Sequence, residues 1–157
     1  MAIDKVKEYF KKYNIQDRIL EFDISSATVS DAAKAINTEE KRIAKTLSFK
    51  VEDKTILIVC AGDTKIDNVK YKNEFKIKAK MLNANEVEEL VGHQIGGVCP
   101  FAINDNVDVY LDISLKRFNT VFPACGSGNS AIELTIEELE KYSNYIKWVD
   151  ICKEKAN

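Results

Sequence analysis

The sequence predicts an α+β protein whose mixed, strongly curved or barrel-like β-sheet is flanked by short helices. Three observations lead there. Segments patterned as strands outnumber helical ones, and the two do not alternate in the strict βαβ order of a doubly wound sheet. Residues 55–61, apolar on both faces, read as a strand inside a sheet rather than at its edge. The 157 residues suit a single domain spanning 1–157, long enough to bury a core.

Taken in order, Ile3, Val6, Phe10 and Tyr13 recur at helical spacing with lysines and Glu8 between them, which predicts an amphipathic helix over 3–13. Residues 19–22 read as a short strand. Ser30 is placed to cap a helix in which Ala32, Ala33, Ala35 and Ile36 allow close packing, and Thr38 opens a further turn. Residues 43–51 then alternate as a strand, with Ile43, Lys45, Leu47, Phe49 and Val51 on one side. Lys45 thus stands on the apolar face. Its ammonium must snorkel past the strand end, find a buried partner, or open into a pocket where a ligand supplies the counter-charge.

Glu52-Asp53-Lys54 is a polar turn that makes a hairpin of residues 43–51 and 55–61. Gly62-Asp63 ends the second strand, and a mixed segment with a helical turn runs to Phe75. Lysines at 65, 70, 72, 76, 78 and 80 make a stripe, read first as a charged edge strand over 76–80 and second as a track for a phosphate backbone. Asn83 and Glu86 form a capping pair for a helix carrying Val87, Leu90 and Val91, which Gly92 stops. Strands follow at 108–111, 120–122 and 131–134, with a helical turn at 114–117. Thr135 and Glu138 form a capping box for a helix over 136–142, and 145–149 is a last strand bearing the lone tryptophan.

Composition narrows the function. The net charge of −2 argues against a protein that grips nucleic acid through a broad basic surface. The charged start of the chain does not resemble a signal peptide and no apolar run reaches membrane-span length, so a cytoplasmic protein with no membrane partner is expected. Four cysteines are far apart, with no CxxC, and fit reduced thiols. One histidine, His93, excludes a His-rich metal site, and no metal or organic cofactor is implied.

Glycine is scarce, yet five of the six fall in two loops: Gly92, Gly96 and Gly97 before Pro100, and Gly126 and Gly128 after Pro123. Paired glycine loops are either tight turns or a site walled by bare N–H and C=O groups. Neither matches the Walker or Rossmann spacing.

Ala44-Lys45-Thr46-Leu47, Ala61-Gly62-Asp63, Gly96-Gly-Val-Cys-Pro-Phe101, Val109-Tyr-Leu-Asp112 and Ala124-Cys-Gly-Ser-Gly128 running into Ile132-Glu-Leu134 resemble, in the same order, the YbaK/EbsC family. That family comprises free-standing bacterial deacylases and the editing domain inserted in prolyl-tRNA synthetases. The resemblance covers nearly the whole chain. It implies a trans-editing aminoacyl-tRNA hydrolase acting on Cys-tRNA(Pro) or Ala-tRNA(Pro), with Lys45 as the essential residue. Substrate contacts are implied at Thr46, at Gly96, Gly97 and Pro100 of the Gly-x-x-x-Pro loop, and at Gly126 and Ser127. Two departures bear on which amino acid is removed: Gly128-Asn129-Ser130 where many relatives are basic, and Thr46 where alanine-specific relatives often carry Asn.

An aminoacyl ester is already reactive, so positioning, an oxyanion donor and an activated water, or the substrate's own thiol, can suffice. Lys45 would hold the terminal adenosine phosphate or polarise the carbonyl. Two other readings stay open: a thiol hydrolase using Cys99 with His93 as base, and a non-catalytic module binding a small molecule or protein. If tRNA is the partner, the modest charge means that the acceptor end is read alone, or alongside prolyl-tRNA synthetase or an elongation factor.

Overall fold

The computed structural model describes residues 2–155. Helix α1 (Ala2–Lys11) buries Ile3, Val6 and Phe10, one stripe of its surface. It is shorter than the periodicity predicts, because Asn14 turns left-handed at φ 60° and Tyr13 packs instead on Tyr142. Strand β1 (Leu20–Glu21) and helix α2 (Val29–Ile36) follow. The cap of α2 is Thr28, whose hydroxyl accepts from the Asp31 amide at 3.1 Å, and Ser30 lies inside the first turn instead of capping it. Thr28 alone has the extended backbone that aims a side-chain oxygen back at the helix start.

Strands β2 (Ile43–Val51) and β3 (Lys54–Ala61) form the expected hairpin, with Lys45 directly opposite Cys60. Strand β4 (Thr64–Ile66) precedes helix α3 (Asn68–Phe75), capped by Asp67. Residues 76–80 are not the predicted edge strand. Lys76, left-handed at φ 63°, ends α3, and beyond it only Met81 bridges to Phe49. Helix α4 (Ala84–Glu86) has the predicted capping box and widens into a π-turn over Val87–Val91 that stops at Gly92.

Strand β5 (Val107–Asp112), a 3₁₀ turn over Ile113–Arg117 and strand β6 (Thr120–Pro123) come next. The strand expected over 131–134 is two pieces. Strand β7 (Ser130–Ala131) pairs with β1, and β8 (Leu134–Thr135) pairs with β6. Helix α5 (Ile136–Ser143) starts on the Thr135/Glu138 capping box. Strand β9 (Lys147–Val149) is shorter than predicted, and β10 (Cys152–Glu154), which sequence patterning misses, pairs antiparallel with β4.

The main sheet runs β8-β6-β2-β3-β5-β9, mixed in direction and curled into a half-barrel. β3 is central, as its two apolar faces require: Ile56 to Ala61 are at most 2% exposed. One face packs Leu57 and Val59 with Val6, Phe10, Leu111 and Leu139 beneath α1 and α5. The other packs Ile56 and Ile58 with Phe49, Tyr71 and Ile151 beneath α3. Each such side chain contributes about 1.5–3 kcal/mol by burial, so the sheet holds its shape up to its edges. Among the described residues no helix is long and apolar enough to cross a membrane.

Candidate active site

The site begins as a gap in the edge of β2. There β6 pairs only with Ile43 and Ala44, and hydrogen bonding on that edge resumes only where Ser48 O accepts from the Leu82 amide (3.1 Å) and the Lys50 amide donates to Lys80 O (2.9 Å). Main-chain groups of alternate residues point to alternate edges of a strand. Thr46, two residues from both Ala44 and Ser48, therefore turns its N–H and C=O into the gap. A cleft of about 270 Å³ lies against it, walled mostly by apolar side chains such as Val29, Leu47 and Phe122.

Lys45, Thr46 and Gly96 all line this cleft. The Lys45 amine is half-buried and donates to the Thr64 carbonyl, which the turn Ala61–Thr64 holds in place through Thr64 Oγ1 donating to Ala61 O at 2.7 Å. Burial pushes the Lys45 pKa below the usual lysine value, and the neighbouring Lys155 ammonium pushes the same way. Gly96 has φ +98°, and a Cβ there would meet the Ala27 Cβ at 3.1 Å, so a bare backbone lets this loop close over the cleft.

Two hydroxyls facing this region, Thr46 Oγ1 and Ser26 Oγ, are buried without a hydrogen-bond partner. Leaving such a group unsatisfied costs about 1–3 kcal/mol, a cost that a polar ligand in the cleft can remove. Ser26 is absent from the sequence-based site. The cluster Ser25-Ser26-Ala27-Thr28 ahead of α2 was its signal, and placing the cap at Ser30 hid it.

The remaining expected contacts sit elsewhere. Gly97 and Gly126 are buried and packed on each other, and with Ser127 they line a separate depression of about 510 Å³ behind the loop. Ser127 Oγ lies 2.7 Å from Ser130 Oγ, and Ser130 is the residue of that pair that lines the cleft. Pro100 is buried and borders a third hollow beside Tyr9 and Tyr13. These four residues shape the loops from behind, while Gly96 faces the cavity.

The cysteine alternative meets a physical obstacle. Cys99 Sγ is 3.5 Å from His93 Nε2, but the thiol has no exposed surface and burial pushes its pKa up to about 12. His93 is equally enclosed, its Nε2 2.8 Å from the Phe101 carbonyl, and burial lowers its pKa. Neither lines the cleft. Asp63 is held by Arg117 at 2.6 and 3.0 Å, and buried Asp112 accepts from the Ser114 and Ile151 amides, so both carboxylates are structural. Among the described residues, no group of three or more His, Cys, Asp or Glu could hold a metal ion.

A small cleft opened by a break in a sheet edge, with one lysine, apolar side chains and bare peptide groups on its wall, is the candidate site. Residues 25–142 match the family model described as the aminoacyl-tRNA editing domain, and the chain belongs to that family. It is 54% identical over 155 residues to the uncharacterized protein YwhH of Bacillus subtilis (strain 168), covering 98% of this chain and 99% of that one. Proline--tRNA ligase of Caldicellulosiruptor saccharolyticus is 27% identical over 90 residues, 57% of this chain but 15% of the ligase. A solved structure of a proposed trans-editing enzyme for prolyl-tRNA synthetase superposes with a TM-score of 0.86 at 25% identity, over 99% of this chain and 98% of that one.

Proposed function

We propose that this protein is a free-standing trans-editing deacylase that hydrolyses the ester of a mischarged tRNA, Cys-tRNA(Pro) or Ala-tRNA(Pro). One observation carries the reading: Lys45, Thr46 and the Gly96 backbone converge on a cleft of about 270 Å³, room for a small aminoacyl group. Water attacks the ester carbonyl carbon, the bond to the ribose oxygen breaks, and that oxygen leaves with a proton. Main-chain groups of Thr46 and the Gly96 loop confine the carbonyl, and the Lys45 ammonium holds the terminal phosphate or steadies the developing oxyanion. Gly97, Pro100, Gly126 and Ser127 maintain the loops that set this geometry. The whole chain acts as one editing domain in the cytoplasm, where charged tRNA resides. With a net charge of −2 it reads the acceptor end, and prolyl-tRNA synthetase or an elongation factor supplies further affinity.

The test is a deacylation panel with Cys-, Ala- and Ser-charged tRNA(Pro), with and without prolyl-tRNA synthetase, on the wild type and Lys45→Ala. Turnover that disappears in a folded Lys45→Ala variant supports the reading. Saturable binding with no release of amino acid would replace it with a binding module.

A further inference from the structure

The Lys45 amine has a second amine beside it. Strand β10 pairs with β4 in the register Cys152↔Ile66, Lys153↔Lys65 and Glu154↔Thr64, and the next residue, Lys155, donates its amide to Asp63 O at 3.0 Å. That anchors Lys155 at the turn whose Thr64 carbonyl holds Lys45, which puts its ammonium near enough to disfavour the charge on Lys45. An ammonium has three donors and no acceptor, so two of them cannot bond to each other while both are charged. Asp63 is committed to Arg117, Asp150 to Lys70 at 3.0 Å, and buried Asp112 to the Ser114 and Ile151 amides. The groups acting most on Lys45 besides its own burial are Lys155 and the Cys60 and Cys152 thiols, none of them a carboxylate. The same ribbon sets Lys65 directly opposite Lys153, a like-charged cross-strand pair that costs stability unless an anion lies over it.

Resting on the deacylase reading above, we propose that Lys155 is a second phosphate-binding residue, and that the β4–β10 ribbon delivers it so that one phosphodiester of the tRNA acceptor end bridges Lys155 and Lys45. The phosphate oxygens accept from both amines, which removes the conflict between them. The exposed Lys65 and Lys153 continue the track along the single strand. The cleft takes the aminoacyl ester, and the ribbon takes the phosphate next to it.

The experiment compares the wild type with Lys155→Ala, Lys155→Arg and, as a charge control on α1, Lys11→Ala. Substrates are an aminoacyl-tRNA and an aminoacyl-adenosine ester that lacks any phosphate. Lys155→Ala is expected to lower kcat/KM on tRNA about tenfold through KM, and to reduce the salt slope of log(kcat/KM) by about 0.7, the value for one single-strand phosphate contact. Hydrolysis of the phosphate-free ester should stay within about twofold, Lys155→Arg should recover most of the loss, and Lys11→Ala should behave as wild type. Equal loss on both substrates, no loss on tRNA, or an unchanged salt slope would overturn the assignment. Binding of a single-stranded oligonucleotide ending in CCA separates the two proposals. If the wild type hydrolyses no charged tRNA yet Lys155→Ala weakens this binding, deacylation fails and the amine pair stands. If Lys155→Ala binds the oligonucleotide as the wild type does, the amine pair fails.

Discussion

The amide of Gly126 donates to the carbonyl of Gly97 at 3.0 Å, so the two glycine loops, separate in sequence, are one unit in space. A Cβ at Gly97 would lie 2.5 Å from Ser127 N and 2.6 Å from Gly126 C, both backbone atoms that cannot swing aside. Gly97→Ala should therefore push the loops apart and destabilise the fold by about 1–3 kcal/mol, as overpacking does. Urea denaturation reads the loss directly. A variant as stable as the wild type would mean that the contact yields more easily than its geometry implies.

Thr46→Val exchanges a buried, unpartnered hydroxyl for a methyl group of similar size. Stability should be unchanged or rise by about 1 kcal/mol, because an unsatisfied polar group leaves the interior. On the proposed reading, deacylation should fall, because a polar ligand in the cleft would lose the Thr46 hydroxyl as a partner. Activity retained alongside raised stability would remove the Thr46 side chain from the site and leave only its main chain there.

All four cysteines are buried. Native protein should react with iodoacetamide only slowly, and unfolded protein should titrate four thiols. Cys99→Ser should keep the proposed deacylase activity, since a thiol held at a pKa of about 12 supplies almost no thiolate at neutral pH. Rapid alkylation at Cys99 that abolishes turnover would restore the thiol mechanism.

Arg18 grips Glu138 at 2.7 and 3.0 Å and, with the Thr135 amide, lowers the carboxyl pKa from 4.5 to about 2. A carboxylate depressed in the folded state adds stability above its unfolded pKa and loses it as the pH falls through the folded one. Glu138→Gln keeps an oxygen for the cap and removes the charge. With Arg18 42% exposed, screening limits the effect to about 0.5–1 kcal/mol at pH 7. The gap between variant and wild type should close between pH 4.5 and about 2 in parallel denaturation series.

The sequence alone determined the hairpin that carries Lys45, the central place of β3, the capping boxes at Asn83/Glu86 and Thr135/Glu138, and the α+β class. Each of these is written in residues that act on neighbours within a turn or across a tight hairpin, so periodicity and cap chemistry reveal them. The family resemblance singled out Lys45, Thr46 and the glycine loops as candidates. It could not tell that Gly96 faces the cleft while Gly97, Pro100, Gly126 and Ser127 brace the loops behind it. Nor could it place Ser26 in the wall or Lys155 against Lys45. Alternation puts a lysine on a face of a strand, but what that amine meets depends on which distant segments the sheet draws alongside. Only the tertiary structure, by pairing β4 with β10 and leaving the edge of β2 open at Thr46, decided that.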